Sequence, residues 1–166
     1  MSELTALDSK IGEVLGLAMA AQKTTDKVAK LLSDDDASVS ATVRKLHDDA
    51  AKVEEMTTEL ISSDAFHGKK TAILDQARET KQEAIEMADT YLGDDADGLD
   101  GFEFLTMAEA GEFGHWKIVE KLNEQVANRE IKELTDFVVP LQDEHFHITL
   151  DSSLTLAAAE DALAPA

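Results

Sequence analysis

Apolar residues recur along this chain at alternating steps of three and four, the spacing that places side chains on one face of an α-helix. One such stripe runs over residues 4–32 and a second over residues 39–60. Polar residues that favour helix N-caps separate the two stripes, in segment 34–38. The pattern predicts two long helices that pack together as an antiparallel hairpin.

Three further helices are predicted in the remainder of the chain. A narrower stripe over residues 73–91 has many charged neighbours, which favours a helix on the outside of the fold. The segment 93–98, rich in glycine and aspartate, is an acidic linker that caps a fourth helix from about residue 100 to 126. Asn128 is the predicted N-cap of a fifth helix, which continues toward Ala159.

Five helices joined by short links predict an all-α bundle. Helices one, two, four and five are its expected members, and helix three is the expected crossover between two hairpins. Residues 1–160 should form a single helical-bundle domain, followed by a flexible tail at 161–166. The composition agrees, because only 5% of residues are aromatic and there are two prolines, which suits long helices better than a sheet.

The chain is strongly acidic, with a formal net charge of −20. Nucleic acid and anionic membranes repel such a protein, so neither is an expected partner. Cysteine is absent, which excludes thiol chemistry and leaves His, Asp and Glu as metal ligands. The apolar stretch 14–21 is too short for a signal sequence or a membrane span, and we expect a cytoplasmic protein.

Two Glu-x-x-His motifs lie on the last two predicted helices, Glu112 to His115 and Glu144 to His147. Residues three apart share a helix face, so each pair can direct a carboxylate oxygen and an imidazole nitrogen at one metal ion. Counted from the turn near Ala127, Glu112 and Glu144 are about 22 Å and about 25 Å away, at nearly one height. With their neighbours, the candidate metal ligands are Glu109, Glu112, His115, Glu144, His145 and His147.

Residues that helices disfavour surround these motifs. Gly111 and Gly114 flank Glu112, and Pro140 lies one turn before Glu144. Each glycine in a helix interior costs roughly 1 kcal/mol relative to alanine, and proline removes a backbone hydrogen bond. Residues that helices disfavour are common at close helix contacts and at functional sites, and the sequence is compatible with either explanation for these three.

The segments 108–116 and 140–147 resemble the ferritin-like superfamily of helical bundles, whose di-metal centres use two Glu-x-x-His motifs and two further Glu residues. The resemblance is limited to the C-terminal third of the chain. It implies a ferritin-like four-helix bundle with an additional crossover helix. It also implies that Glu112 and Glu144 are bridging or terminal carboxylates and that His115 and His147 are imidazole ligands. The expected metal is iron or manganese, with zinc as a further option, in an oxidase or a metal-handling protein.

Helices four and five carry only part of that ligand set, because the apolar stripe of the N-terminal hairpin contains no acidic residue. A homodimer would place two half-sites opposite each other across a twofold axis, and it is the expected assembly. Alternatively, His47 and Glu54, which flank the stripe, would complete the site within one chain. The sequence leaves both arrangements open.

A third interpretation needs no metal. Glu109 and Glu112 would then hydrogen-bond to His115 and His145 across the hairpin, in a buried polar network that is satisfied internally. The protein would be a non-catalytic interaction or stress-associated bundle with a vestigial site. Whether it is an enzyme is therefore left open by the sequence.

Overall fold

The computed structural model describes residues 3–33 and 37–164, and all regular secondary structure within these ranges is helical. The prediction of an all-α fold with five α-helices is confirmed for this part of the chain. The predicted N-cap residues at 34–36 and the last two residues of the predicted tail lie outside the described residues. The helices are α1 (Ala6–Ala29), α2 (Ala37–Ile61), α3 (Lys70–Tyr91), α4 (Gly98–Val126) and α5 (Arg129–Ala157), with a single 3₁₀ turn at Asp64–Phe66.

Side-chain caps begin three of these helices. Thr5 and Asp8 form a reciprocal capping box at the start of α1, and Asp97 and Asp100 form another at the start of α4. The predicted cap Asn128 is confirmed, because its side chain accepts a hydrogen bond from the first turn of α5. These caps satisfy backbone N–H groups that have no partner within the helix, which is why the helices start there.

Helices α1, α2, α5 and α4 follow one another around a ring, since each packs against the next and α4 packs against α1. Asp26, near the end of α1, contacts His47 in the first half of α2, as expected for antiparallel helices. Helix α3 packs along α1. The Lys27–Asp89 ion pair joins the last turns of the two helices, so α3 runs parallel to α1. Helix α3 thus carries the chain between the two hairpins. This agrees with the expected outer position of helix three.

Glycines set the spacing between some of these helices. A Cβ atom added to Gly16 would lie 2.4 Å from the carbonyl oxygen of Ala77, so α1 and α3 approach each other there without room for a side chain. A Cβ atom on Gly101 would lie 2.9 Å from Val28. By contrast, a Cβ atom on Gly111 or Gly114 would meet nothing within 4 Å. The interpretation that these two glycines permit close packing within the chain is therefore wrong.

The core consists of two apolar clusters, one toward each end of the bundle. Along α4, Leu105 belongs to one cluster and Trp116 to the other. The buried residues between them on this helix are Glu109 and Glu112, both carboxylic acids. A polar layer therefore crosses the bundle between two apolar regions, and it contains the residues that the motifs singled out.

Candidate functional site

The two buried glutamates occupy core positions of α4. Buried residues of this helix recur at steps of three and four, the spacing of an inward face. Glu109 and Glu112 fall on that face and are only 3% and 4% exposed. Among the described residues no lysine or arginine is buried, so neither of these side chains lies inside the bundle with the two glutamates. The members of the stripe are Phe102, Leu105, Glu109, Glu112, Trp116, Val119 and Asn123.

Helix α5 presents Gln142 and His145 to the same layer. Both side chains are 2% exposed, and they follow Val138 at steps of four and three. The amide nitrogen of Gln142 donates a hydrogen bond of 3.2 Å to Oε2 of Glu112. Nδ1 of His145 lies 3.3 Å from Oε2 of Glu109. The antiparallel pairing of α4 and α5 thus brings the two segments to one height, as their distances from the turn predict.

Helix α2 contributes a third carboxylate. Oδ2 of Asp49 lies 2.9 Å from Nε2 of His145, and it also accepts a hydrogen bond of 2.6 Å from Nζ of Lys45. The Asp49 side chain is 24% exposed, so it forms the outer edge of the layer. We call the set of Asp49, Glu109, Glu112, Gln142 and His145 the buried acidic cluster.

Three of the six predicted ligands lie outside this cluster. Glu144 is 53% exposed and lies 3.4 Å from Nζ of Lys45. His147 is 63% exposed, and its Nδ1 donates to the carbonyl oxygen of Asp143. Each residue of a helix turns by 100°, so Glu144 and His147 cannot share the inward face that His145 occupies. The second Glu-x-x-His motif therefore points outward.

His115 also leaves the cluster, although it belongs to the first motif. Its side chain is 37% exposed, and its Nδ1 donates a hydrogen bond of 2.9 Å to the carbonyl oxygen of Gly111. Its Nε2 lies 3.6 Å from a carboxylate oxygen of Glu13 in α1. Of the first motif, only Glu112 faces the bundle interior.

The two residues suggested to complete the site from α2 have other partners. Glu54 accepts a hydrogen bond from Gln22, and His47 lies between Asp26 and Asp48. The residue of α2 that reaches the cluster is Asp49, which the sequence interpretation missed together with Gln142. The spacing Val138, Gln142, His145 was the available signal for Gln142, because it continues the inward face of α5.

The environment of the cluster shifts the proton affinity of its members. Burial raises the pKa of Glu112 well above its usual value, and the neighbouring Glu109 carboxylate raises it further, against a smaller opposing effect of the Gln142 hydrogen bond. Burial lowers the pKa of His145, but its interactions with Glu109 and Asp49 outweigh burial and raise the pKa overall. Glu112 therefore keeps its proton to higher pH than an exposed glutamate, and the protonated form of His145 is favoured by the two carboxylates beside it.

Two polar atoms of the cluster have no hydrogen-bond partner, Oε2 of Glu109 and Oε1 of Gln142. Oε2 of Glu109 is close to His145, but the approach does not form a well-directed hydrogen bond. Buried polar atoms are rarely left without partners, so a water, a proton or an ion is the kind of partner that each of these atoms requires. The network expected in the absence of a metal is thus only partly satisfied.

The donor atoms of the cluster fit a transition-metal ion in type, since carboxylate oxygens and imidazole nitrogens are ligands for iron, manganese and zinc. In the described ranges, no group of three or more His, Asp and Glu side chains is already arranged to hold a metal ion. Binding at Glu109, Glu112 and His145 would therefore require their side chains to rotate toward a common point.

Comparison with protein-family models, with curated proteins and with solved structures found no match for this chain. Within residues 3–33 and 37–164, none of the helices combines the length and the apolar character needed to cross a membrane.

Proposed function

We propose that the protein is a metal-handling helical bundle that binds one divalent transition-metal ion in the buried acidic cluster. Iron or manganese is the proposed ion, with zinc as a further option. The observation that carries the proposal is the Oε2 atom of Glu109, which accepts no well-directed hydrogen bond although it is buried 3.3 Å from Nδ1 of His145 and next to a second carboxylate. Glu109, Glu112 and His145 are the proposed ligands.

The charge of the cluster supports a cation. Two carboxylates buried close together cannot both ionise at low cost unless a positive charge joins them. No lysine or arginine is buried among the described residues. The negative charge is therefore reduced by a proton that neutralises Glu112, or balanced by a protonated His145 or a bound ion. A divalent ion would replace the proton on Glu112 and bind the free oxygen of Glu109.

The surroundings determine what a bound ion could do. Apolar clusters pack on either side of the layer, and Gln142 orients Glu112 through its hydrogen bond. Iron or manganese would supply redox chemistry toward oxygen or peroxide. The residues of this chain would hold the ion and neutralise its charge, which is the basis for proposing a ferritin-like role in metal handling or oxidation.

A second candidate is a non-catalytic bundle with a vestigial site. It is favoured by the outward positions of His115, Glu144 and His147, which remove half of the predicted ligands from the cluster. In this alternative Glu112 keeps its proton, and the cluster serves to pair α4 with α5 in the correct register.

Metal analysis of protein purified without chelator, and again after anaerobic addition of Fe²⁺, Mn²⁺ or Zn²⁺, tests the proposal. We expect about one equivalent per chain in the wild type and in Glu144→Gln, and less than about 0.2 equivalent in Glu112→Gln. Glu144 is the matched control, because it is a glutamate outside the cluster. Less than about 0.2 equivalent in the wild type would support the vestigial site instead.

The same experiment tests the proposed homodimer. If the outward Glu144 and His147 are ligands contributed between two copies, Glu144→Gln will lose metal and the loaded protein will be dimeric in light scattering. If the cluster within one chain holds the ion, Glu144→Gln will bind normally and loading will not depend on oligomeric state. The two arrangements therefore give opposite results for one variant.

A further inference from the structure

Four side chains of the buried acidic cluster form two pairs between α4 and α5. Glu109 and Glu112 are three residues apart on α4, and Gln142 and His145 are three residues apart on α5. Because the two helices are antiparallel, Oε2 of Glu109 lies 3.3 Å from Nδ1 of His145, and Oε2 of Glu112 lies 3.2 Å from Nε2 of Gln142. Each of these side chains is at most 4% exposed. The four polar groups therefore share one enclosed layer of the bundle.

Only half of the Gln142 amide has a partner in this layer. Its nitrogen donates to Glu112, but its oxygen, Oε1, accepts no hydrogen bond from the described part of the chain. A buried acceptor without a partner costs free energy, because it has lost its hydrogen bonds to water. The hydrogen bond to Glu112 explains the amide nitrogen and leaves the oxygen unexplained.

The free oxygen of Gln142 lies beside the proposed metal ligands. Oε1 is bonded to the same carbon as Nε2, which contacts Glu112, so it is close to that carboxylate. Oε2 of Glu109, on the facing helix, also accepts no well-directed hydrogen bond. Among the described residues, the remaining buried side-chain atom without a partner is Nε1 of Trp116, a donor that cannot bind a cation. Both buried oxygens that lack a partner therefore belong to the cluster, one from each helix.

An amide oxygen is a metal ligand in its own right, because it has two lone pairs and a partial negative charge. The amide nitrogen has no lone pair available for a cation, and it can keep its hydrogen bond to a carboxylate while the oxygen binds an ion. The contact between Gln142 and Glu112 is thus compatible with metal binding through Oε1.

We propose that Gln142 is a fourth ligand of the metal ion, through Oε1, beside Glu109, Glu112 and His145. This inference rests on the proposed function and adds a preference among metals. The ligand set has three residues that bind through oxygen and one that binds through nitrogen. Carboxylate and carbonyl oxygens suit Mn²⁺, whereas imidazole suits Zn²⁺. The oxygen of Gln142 therefore favours Mn²⁺ relative to Zn²⁺, compared with a nitrogen ligand at the same position.

Electron–nuclear double resonance of the Mn²⁺-loaded protein tests for the bond directly, with ¹³C at the side-chain carbonyl carbon of glutamine. We expect a ¹³C contact coupling in the wild type and in Gln82→Met, and none in Gln142→Met at the same occupancy. Gln82 is the matched control, because its amide also donates to a glutamate but lies on the surface of α3. An amide that only donates to Glu112 has no bond to the ion and gives no contact coupling.

Metal affinities provide a second readout, measured by competition with a fluorescent chelator. Gln142→Met should weaken Mn²⁺ at least about tenfold, since even an outer partner of a ligand usually contributes this much. Gln82→Met should leave the affinity unchanged. Gln142→His should raise the ratio of Zn²⁺ to Mn²⁺ affinity at least about tenfold, because it replaces an oxygen ligand by nitrogen. If Gln142→Met fails to fold, the ¹³C coupling of the wild type decides the question alone.

The failure of this inference differs from the failure of the metal proposal. Wild-type protein that binds Mn²⁺ without a ¹³C contact coupling would overturn the role of Gln142 and leave the metal proposal standing. Unchanged Mn²⁺ affinity in Gln142→Met would have the same meaning. An unchanged ratio of Zn²⁺ to Mn²⁺ affinity in Gln142→His would overturn the preference among metals. If the wild type binds no ion, both proposals are wrong.

Discussion

Nε2 of His145 lies 2.9 Å from Oδ2 of Asp49, so the buried imidazole of α5 contacts the carboxylate of α2. The other ring nitrogen of His145 faces Glu109 of α4. One side chain thus connects three helices, and it links the N-terminal hairpin to the C-terminal one. This position makes His145 the structural centre of the buried acidic cluster.

Replacing His145 by alanine should destabilise the protein by about 3 kcal/mol, because it leaves the buried Glu109 carboxylate without its positive neighbour. His147→Ala is the matched control. His147 is 63% exposed, so its loss should change the free energy of unfolding by no more than about 0.5 kcal/mol. Urea unfolding followed by circular dichroism measures both values. Equal effects of the two variants would contradict the inward position of His145.

Glu112→Gln should change how stability depends on pH in chelator-treated protein. Burial and Glu109 raise the pKa of Glu112 in the folded state above its ordinary value of 4.5, so the folded state keeps this proton to higher pH. Below that value both states are protonated. As the pH rises above it, the unfolded state ionises first, so wild-type stability falls. Glutamine has no such proton, so the stability of Glu112→Gln relative to the wild type should increase as the pH rises above 4.5.

The control for this prediction is Glu144→Gln, which removes a carboxylate from the surface. Its stability difference from the wild type should not grow over the same interval. The measurement is the free energy of unfolding at several pH values for all three proteins. A constant difference between Glu112→Gln and the wild type would show that Glu112 has the same pKa in the folded and unfolded states.

Acid should weaken the cap of α1. Burial raises the pKa of Asp8, but hydrogen bonds from Lys69 and Thr5 outweigh burial and lower the pKa below its ordinary value of 3.8. A lowered pKa in the folded state stabilises the protein fully above the unfolded value, and this contribution is lost as the pH falls below it. Asp8→Asn should therefore cost about 1–2 kcal/mol at pH 7, and this cost should diminish as the pH falls below 3.8.

A surface ion pair provides the comparison for Asp8. Asp75 pairs with Arg78 on α3 at 2.5 Å, but both side chains are well exposed. Asp75→Asn should change stability by less than about 0.5 kcal/mol at either pH. Thermal unfolding at pH 7 and pH 3 distinguishes the two variants. A loss in Asp8→Asn that persists unchanged at low pH would rule out the ionised cap.

Alanine should have opposite effects at two glycines. Gly16→Ala places a Cβ atom 2.4 Å from the carbonyl oxygen of Ala77, so α1 and α3 must separate, at a cost of about 1–3 kcal/mol. Gly114→Ala meets no atom within 4 Å and should stabilise α4 by up to about 1 kcal/mol. Chemical denaturation measures both. Destabilisation by Gly114→Ala would indicate a contact that the isolated chain does not make.

The helices could be predicted from the sequence because they depend on local properties. Apolar spacing and the cap at Asn128 act over a few residues, and the described helices follow them. The same spacing could have placed Glu109, Glu112 and His145, since each continues the inward stripe of its helix. The Glu-x-x-His motif instead predicted Glu144 and His147 as ligands. These two residues are three apart but lie off the inward stripe.

Contacts between helices could not be predicted from the sequence, because small differences in the rotation of each helix about its axis decide which side chains meet. Asp49 reaches His145, whereas His47 and Glu54, only a few residues away, turn toward α1. A cavity lies between α1, α3 and α4, and it depends on how α3 packs on α1 beside α4, which no periodicity encodes. The sequence by itself thus determined the helices and their inward faces through local spacing. Only tertiary packing decided which carboxylates and imidazole share the interior, because that choice depends on the rotation and pairing of whole helices.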